Sequence, residues 1–269
     1  MLRLSGAALS HVGLVRTGNE DSGFMGPTCM LVADGVGGAA AGEVASATTA
    51  YVVSAKALAA HDDNPASVLR DAIRLAQEQV ALGVRRDPDR AGMATTLTAI
   101  VTDGEHFALG HVGDSRGYLF RDRSLVRISR DHTWVQRLID EGSLVEEDVP
   151  YHPWRNVVTR SVNGDAAETG DVAELALVPG DRLLLASDGL TDLVPEPAIE
   201  QILQRHDDDA AAEALVDAAL SAGGRDNVTC LLATVIDGPE VATDGVLLGA
   251  LRNPRNVVDA AAVRMPHSA

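Results

Sequence analysis

Acidic residues at the ends of apolar runs are the first candidates for chemistry in this chain. Such a run ends in an aspartate followed by glycine at Asp34 and at Asp188. Asp114 follows a third apolar run, and Asp226 lies just before a fourth. If strand ends meet, these carboxylates crowd together, and like charges in a poorly solvated site raise each other's pKa. Such a cluster requires a cation, and oxygen-only ligands favour Mg²⁺ or Mn²⁺.

A further segment adds a basic side chain to this set. Residues 16–21 read Arg-Thr-Gly-Asn-Glu-Asp, so that Arg16 lies a few residues before Glu20 and Asp21. The fork of donors on a guanidinium suits a phosphate dianion. Any single Asp-Gly pair predicts only a turn. The hypothesis of a phosphoryl-transfer site therefore depends on the whole set of residues.

The elements that must position these residues favour two antiparallel sheets with helices outside. Helices are predicted at 42–61, 65–86, 133–141, 197–204 and 208–222, and strands at 29–33, 95–101, 107–112, 116–120, 125–128, 182–186 and 228–235. Tight turns join neighbouring strands, for example at Asp122-Arg123, which favours antiparallel pairing. The helices come in pairs and not after every strand, which argues against a doubly wound parallel sheet.

The same pattern predicts the domain organisation. Residues 1–236 form one catalytic domain. Residues 131–164 interrupt the strand pattern with a helix, acidic residues and a polar stretch, which predicts an inserted flap subdomain. Residues 237–269 show weak order signals, and we expect a flexible tail.

Composition excludes several kinds of partner. The formal charge of −17 repels nucleic acid and anionic lipid, and the 3% of aromatic residues makes base stacking unfavourable. Cys29 and Cys230 each lie inside an apolar run, which predicts buried, inert thiols. The first residues lack the pattern of a signal peptide, and no apolar stretch reaches transmembrane length. We therefore expect a cytoplasmic protein without a membrane anchor.

Eight short motifs, taken in order, resemble the bacterial form of the metal-dependent protein phosphatases of type 2C. They are Arg16-Thr17-Gly18-Asn19-Glu20-Asp21, Asp34-Gly35-Val36-Gly37-Gly38 with Gly42-Glu43-Val44-Ala45-Ser46, Gly92-Met93-Ala94-Thr95-Thr96-Leu97, Gly113-Asp114-Ser115-Arg116, Arg130-Asp131-His132, His152-Pro153 with Arg155-Asn156-Val157-Val158-Thr159-Arg160, Ser187-Asp188-Gly189-Leu190 and Gly224-Arg225-Asp226-Asn227. The resemblance extends from about Leu4 to Val235.

The resemblance implies an α+β fold, a four-layer α-β-β-α sandwich of two antiparallel sheets flanked by helix pairs. It implies two core Mg²⁺ or Mn²⁺ ions, and a third, weaker metal held by Asp114 with Asp188. The implied ligands of the two core ions are Asp21, Asp34, the carbonyl of Gly35, Asp188 and Asp226, with Glu20 acting through water. Arg16 matches the phosphate-binding arginine, and the flap residues His152, Trp154 and Arg155 are candidates for substrate contact.

The function implied is hydrolysis of phosphoserine and phosphothreonine on proteins by a metal-activated water, without a covalent intermediate. Substrates would be phosphoproteins in signalling, including a serine/threonine kinase and its targets.

One departure from the family concerns the proton donor to the leaving group. Bacterial members commonly carry a histidine at the position of Ala39, and eukaryotic members carry one at the position of Val36. Since loss of a general acid typically costs about 10² to 10⁴ in rate, we expect an active but slower enzyme that depends more on leaving-group acidity.

Two other interpretations stay open at this stage. The first is a phosphatase fold used as a binding module, although the metal carboxylates are all present. The second is a structural calcium site in a β-sandwich, although the EF-hand pattern is absent and Arg16 would have no role.

Overall fold

The structure is a computed structural model that describes residues 1–36, 41–60, 63–239 and 245–263. The strands are β1 (Leu2–His11), β2 (Ser22–Met25), β3 (Cys29–Ala33), β4 (Gly35–Val36), β5 (Ala94–Thr95), β6 (Leu97–Thr102), β7 (Phe107–Val112), β8 (Arg116–Arg121), β9 (Ser124–Arg127), β10 (Asp171–Leu175), β11 (Arg182–Ala186), β12 (Val228–Asp237) and β13 (Val246–Gly249). The α-helices are α1 (Gly42–Ala59), α2 (Pro65–Arg86), α3 (Trp134–Asp140), α4 (Asp188–Thr191), α5 (Glu196–Arg205) and α6 (Asp208–Ser221). Short 3₁₀ helices lie at Pro88–Arg90, Glu146–Tyr151, Ala250–Arg252 and Pro254–Asn256.

Two antiparallel sheets form the centre of the fold. One has five strands in the order β1-β12-β11-β8-β9, and the other has six in the order β10-β7-β6-β3-β2-β13. A small ladder joins β4 to β5. This arrangement confirms the predicted α+β sandwich.

The alternation of side chains between the two faces of each strand explains how the sheets and helices form layers. In β3, Leu31 packs with α1 and α2, whereas Met30 and Val32 pack with residues of the facing sheet. In β11, Leu184 faces the layer of α5 and α6, whereas Leu185 lies between the sheets. Because side chains alternate with period two, a strand that is apolar on both faces joins two apolar layers. Three apolar layers therefore separate four layers of secondary structure.

Local signals fix the ends of the helices. Asn64 caps α2 by accepting a hydrogen bond from the Ser67 N–H at 3.1 Å, and Pro65 occupies its first turn. Thr133 and Asp207 cap α3 and α6 in the same way. The hairpin tip at Asp122-Arg123 is confirmed, since both residues have positive φ, as a tight type I′ turn requires.

Some predicted elements differ from the structure. The strand predicted at 95–101 is split into β5 and β6 at Thr96. The long strand β1 was not predicted, because polar residues interrupt its apolar pattern. It lies at a sheet edge and pairs along its whole length with β12, more than 200 residues away in sequence.

The prediction of a flexible tail is wrong for residues 245–263, which we call the C-terminal arm. Its strand β13 extends the six-stranded sheet by pairing with β2. Leu248 and Leu251 of the arm are buried at 3% and 4% exposure. The partners of the arm are far away in sequence, so its own residues carry only a weak signal.

Candidate metal and phosphate site

Asp34 lies directly after β3, and its backbone is held by the turn that separates β5 from β6. The Thr96 hydroxyl accepts a hydrogen bond from the Asp34 N–H at 2.9 Å, and the Thr95 hydroxyl donates to the Asp34 carbonyl at 2.8 Å. Gly35 follows in close contact with Gly42, whose carbonyl oxygen would lie 2.5 Å from a Cβ at Gly35. Only glycine therefore permits this approach of the two backbone segments.

Asp21 lies just before β2 and is almost completely buried, at 1% exposure. Its carboxylate accepts a hydrogen bond from the Ser187 hydroxyl at 2.8 Å. The Ser187 hydroxyl in turn accepts from the Thr229 N–H at 3.0 Å. Asp21 thus joins the six-stranded sheet to the end of the five-stranded one.

Asp188 begins α4 directly after β11, on the same side of the molecule as Asp34. The two carboxyl groups come from different sheets and are close enough for each to shift the pKa of the other. Asp21, Asp34 and Asp188 therefore lie near one another, at neighbouring ends of the two sheets.

Asp226 and Arg16 form an ion pair at the edge of this cluster. The Arg16 guanidinium donates to Asp226 at 2.7 Å, with exposed side-chain fractions of 51% and 39%. Asn227 ties the two loops together, because its side chain donates to the Gly18 carbonyl and accepts from the Glu20 N–H. The arginine thus lies at a solvent-accessible position beside the acids, where a phosphate could reach it.

Burial and mutual repulsion raise the pKa values of the clustered acids. Burial, together with the charges of Asp188 and Asp226, raises the pKa of Asp21 to about 7 against the opposing hydrogen bonds. Burial and the Asp192 and Asp226 charges raise the pKa of Asp188 to about 6. For Asp34, burial and the neighbouring carboxylates raise the pKa well above its usual value. Each acid disfavours ionisation of the others, which a cation would relieve.

The donors fit hard divalent cations in their chemistry. All are oxygens, and most belong to carboxylates. Such oxygens are the ligands that Mg²⁺ and Mn²⁺ prefer. Their atoms do not converge, however: among the described residues, no group of three or more His, Cys, Asp or Glu is arranged as a formed metal site. Ser187 donates to a carboxylate oxygen of Asp21, and Arg16 donates to one of Asp226. The electrostatic coupling of these acids, expressed in their raised pKa values, is the feature of the site that favours a cation.

Asp114 lies at the loop after β7, close to Asp188. Burial, then the charges of Asp188 and Asp131, raise the pKa of Asp114 to about 8. The neighbouring Arg116 does not neutralise it, because this guanidinium holds Asp131 through hydrogen bonds of 2.7 to 3.2 Å. Asp114 is therefore a further acid that faces the cleft, and among the described residues it forms no ion pair.

The flap region encloses a cleft beside the cluster. A cavity of about 280 Å³ is lined by Asp114, Asp188 and Arg155, among others. A neighbouring cavity of about 450 Å³ is lined by Arg155, Asp188, Arg225 and Asp226, among others. Arg155 thus lines both cavities. The residues lining these two cavities do not include Arg16, Asp21 or Asp34.

The other two flap candidates lie away from the cleft lining. Trp154 is 56% exposed and packs edge-on against Trp134, with ring centroids 5.9 Å apart. The Trp154 N–H donates to His152 Nδ1 at 3.2 Å. Both side chains therefore shape the flap, and no histidine lines either cavity in the part of the chain that the structure describes.

The supporting residues Thr96, Ser187 and Asn227 were not assigned roles from sequence. Each belongs to a motif quoted above, and Ser187 and Asn227 also lie next to an aspartate in sequence, whereas Thr96 does not. The proton-donor question concerns Val36 and Ala39. Val36 is 42% exposed and carries no proton to donate, whereas Ala39 lies outside the described residues.

Comparisons with known proteins point to one family. Residues 19–222 match the family model described as Protein phosphatase 2C. The chain is 42% identical over 249 residues to the serine/threonine protein phosphatase PstP of Mycobacterium tuberculosis, covering 91% of this chain and 48% of the relative. It is 34% identical over 231 residues to the serine/threonine phosphatase stp of Listeria welshimeri, covering 82% of this chain and 91% of the relative. The chain thus spans about half the length of the first of these relatives.

A solved structure gives the same result. The catalytic domain of PstP, determined in complex with two manganese ions, superposes with a TM-score of 0.80 at 41% identity, covering 88% of this chain and 100% of that one. None of the helices in the described part of the chain combines the length and apolarity needed to span a membrane.

Proposed function

Because the chain belongs to the protein phosphatase 2C family, we propose that it removes phosphate from phosphoserine and phosphothreonine of proteins, using two Mn²⁺ or Mg²⁺ ions. The observation that carries the proposal is that Asp34 and Asp188 lie close together at the ends of opposite sheets, beside the buried Asp21. The two manganese ions of the PstP catalytic domain support this choice of cofactor.

The residues of the chain have distinct roles in this proposal. Asp21, Asp34, Asp188 and Asp226 hold the cations, with the Gly35 carbonyl, and Glu20 acts through water. When bound, the cations supply the charge that activates a water and stabilises the phosphate oxygens. Asp114, with Asp188, provides the weaker third site.

Arg16 binds the phosphate of the substrate. Its contact with Asp226 is at the exposed edge of the cluster, so the guanidinium can exchange this carboxylate for a phosphate dianion. Arg155, on the flap side of the cleft, contacts the peptide around the phosphorylated residue.

A covalent phosphocysteine route is disfavoured by the two thiols. Cys29 and Cys230 are completely buried, and burial raises the pKa of each to about 12. Neither can present a thiolate to a phosphoprotein. The buried thiols thus support the proposed direct attack of water on phosphorus, without a covalent intermediate.

The substrates we propose are phosphoproteins of cytoplasmic signalling, including a serine/threonine kinase and its targets. The acidic surface, with a formal charge of −17, favours proteins over nucleic acid as partners.

Phosphate release from a phosphothreonine peptide, measured with and without Mn²⁺, tests the proposal. We expect Mn²⁺-dependent release that Asp188→Asn abolishes, since this change removes a charge from the cation site. Asp217→Asn makes the same chemical change on the exposed face of α6 and should leave the rate unchanged. Mn²⁺ binding without turnover would contradict the proposal and favour a binding module, whereas a preference for Ca²⁺ would favour the structural calcium site.

A further inference from the structure

The C-terminal arm passes directly against the backbone of Asp21. The Ala250 N–H donates to the Asp21 carbonyl at 2.7 Å. Gly249 pairs with Ser22 in the sheet, and a Cβ placed on Gly249 would lie 2.0 Å from the Asp21 carbonyl oxygen. Gly249 also has φ +58, a conformation that favours glycine. The arm therefore fits Asp21 with no space for a side chain between them.

The arm is itself anchored to α1. Thr48 donates to the Asn256 carbonyl at 3.2 Å and accepts from the Val258 N–H at 3.1 Å. The Tyr51 hydroxyl donates to the Ala260 carbonyl at 2.6 Å. These contacts hold the end of the arm on the helix, so that its position at Asp21 is fixed from both sides.

The side-chain carboxylate and the backbone carbonyl of Asp21 are thus held by different parts of the chain. Ser187, from the end of β11, holds the carboxylate, and the arm holds the carbonyl. A small displacement of this backbone would move the carboxylate relative to Asp34 and Asp188. Groups that orient a metal ligand commonly change metal affinity when they are altered.

We propose that the C-terminal arm positions Asp21 for divalent cation binding, with Gly249 as the positioning residue. This inference rests on the proposed function only in taking the cation as the cofactor.

The test is Mn²⁺ affinity, measured by titration calorimetry on the full chain with Gly249→Ala. We expect affinity to fall about 10- to 100-fold, the usual range for altered supports of a metal ligand. Gly180→Ala is the matched control: Gly180 has φ +95, but nothing lies within 4 Å of its added Cβ. It introduces similar backbone strain and should bind Mn²⁺ like the unaltered protein.

A second readout separates positioning from general destabilisation. At saturating Mn²⁺, we expect the kcat of Gly249→Ala to return toward that of the unaltered protein, because the ligand itself is intact. Equal Mn²⁺ affinities for Gly249→Ala and the unaltered protein would overturn the inference.

If Gly249→Ala does not fold, Thr48→Val serves instead, because it removes both arm contacts of Thr48 without touching Asp21. We expect it to weaken Mn²⁺ binding several-fold, and unchanged affinity would overturn the inference. Failure of the proposed function would be seen differently, as absence of turnover by the unaltered protein despite Mn²⁺ binding. An unaltered protein that binds no Mn²⁺ would overturn both.

Discussion

His111 in β7 should make the stability of the fold depend on pH. Its side chain is buried at 2% exposure, and its Nδ1 forms a hydrogen bond of 3.0 Å with the Thr98 hydroxyl. Burial, then the nearby His132, lowers the pKa of His111 from 6.5 to about 4, although the Asp131 and Asp171 carboxylates oppose this effect. Between these two pKa values, the unfolded chain therefore binds a proton at His111 that the folded protein does not bind.

The sign and size of the pH dependence follow from the difference between the folded and unfolded pKa values of His111. Since the folded-state pKa lies below the unfolded one, stability is fully present above about pH 6.5 and is lost as the pH falls toward about 4. The difference of about 2.5 in pKa corresponds to roughly 3 kcal/mol in total. About 2 kcal/mol of this should disappear between about pH 7 and about pH 5.

Urea unfolding of the unaltered protein and His111→Asn at both pH values measures this loss. Asparagine keeps a polar group near Thr98 but does not titrate, so the variant should lose about 2 kcal/mol less than the unaltered protein over this range. His106→Asn is the exposed control: its pKa is raised by Asp103, so removing it should not protect the fold at low pH. Equal pH dependence in the unaltered protein and His111→Asn would refute the reasoning.

Three further predictions concern the site. First, p-nitrophenyl phosphate should be hydrolysed at least about 10²-fold faster than a phosphothreonine peptide at saturation, because no histidine in the described cleft can protonate an alkoxide; equal, fast rates on both would contradict this. Second, Arg16→Ala should lower kcat/KM by about 10²-fold through loss of a charge-assisted contact to phosphate, and Arg16→Lys should recover it only in part, because lysine lacks the planar fork; full recovery by lysine would argue against two-point binding. Third, Thr96→Val should lower the free energy of unfolding by about 1–3 kcal/mol, since it leaves the Asp34 N–H without its acceptor, and should also weaken Mn²⁺ binding. The control is Thr102→Val, which removes a comparable buried acceptor, that of the Gly104 N–H, far from the acids. It should lower the free energy of unfolding without changing Mn²⁺ affinity. If Mn²⁺ affinity falls equally in the two variants, Thr96 does not act on the site.

Elements with local signals were predicted closely from sequence. The α2 helix begins at Pro65 as predicted, because Asn64 and Pro65 supply the cap and the first turn themselves. Strands β3, β7 and β11 have the predicted bounds, because each is apolar on both faces and lies inside the sandwich.

Elements that depend on distant partners were not predicted. Edge strand β1 exposes part of one face, so its apolar pattern is weak, and its pairing with β12 stabilises it. The C-terminal arm is stabilised by β2 and α1, about 200 residues earlier in the chain. The sequence near such a strand carries little of the information that orders it.

The sequence by itself predicted which residues are candidates for holding metal and phosphate, because carboxylates after apolar runs and an arginine among acids can be read from residue order alone. Only the tertiary structure decided how these residues are held. Ser187 meets Asp21 across 166 residues, and Thr96 meets Asp34 across 62. The arm closes on the carbonyl of Asp21 from the far end of the chain. Such contacts depend on how two sheets and their flanking helices pack, and that packing is a property of the whole chain.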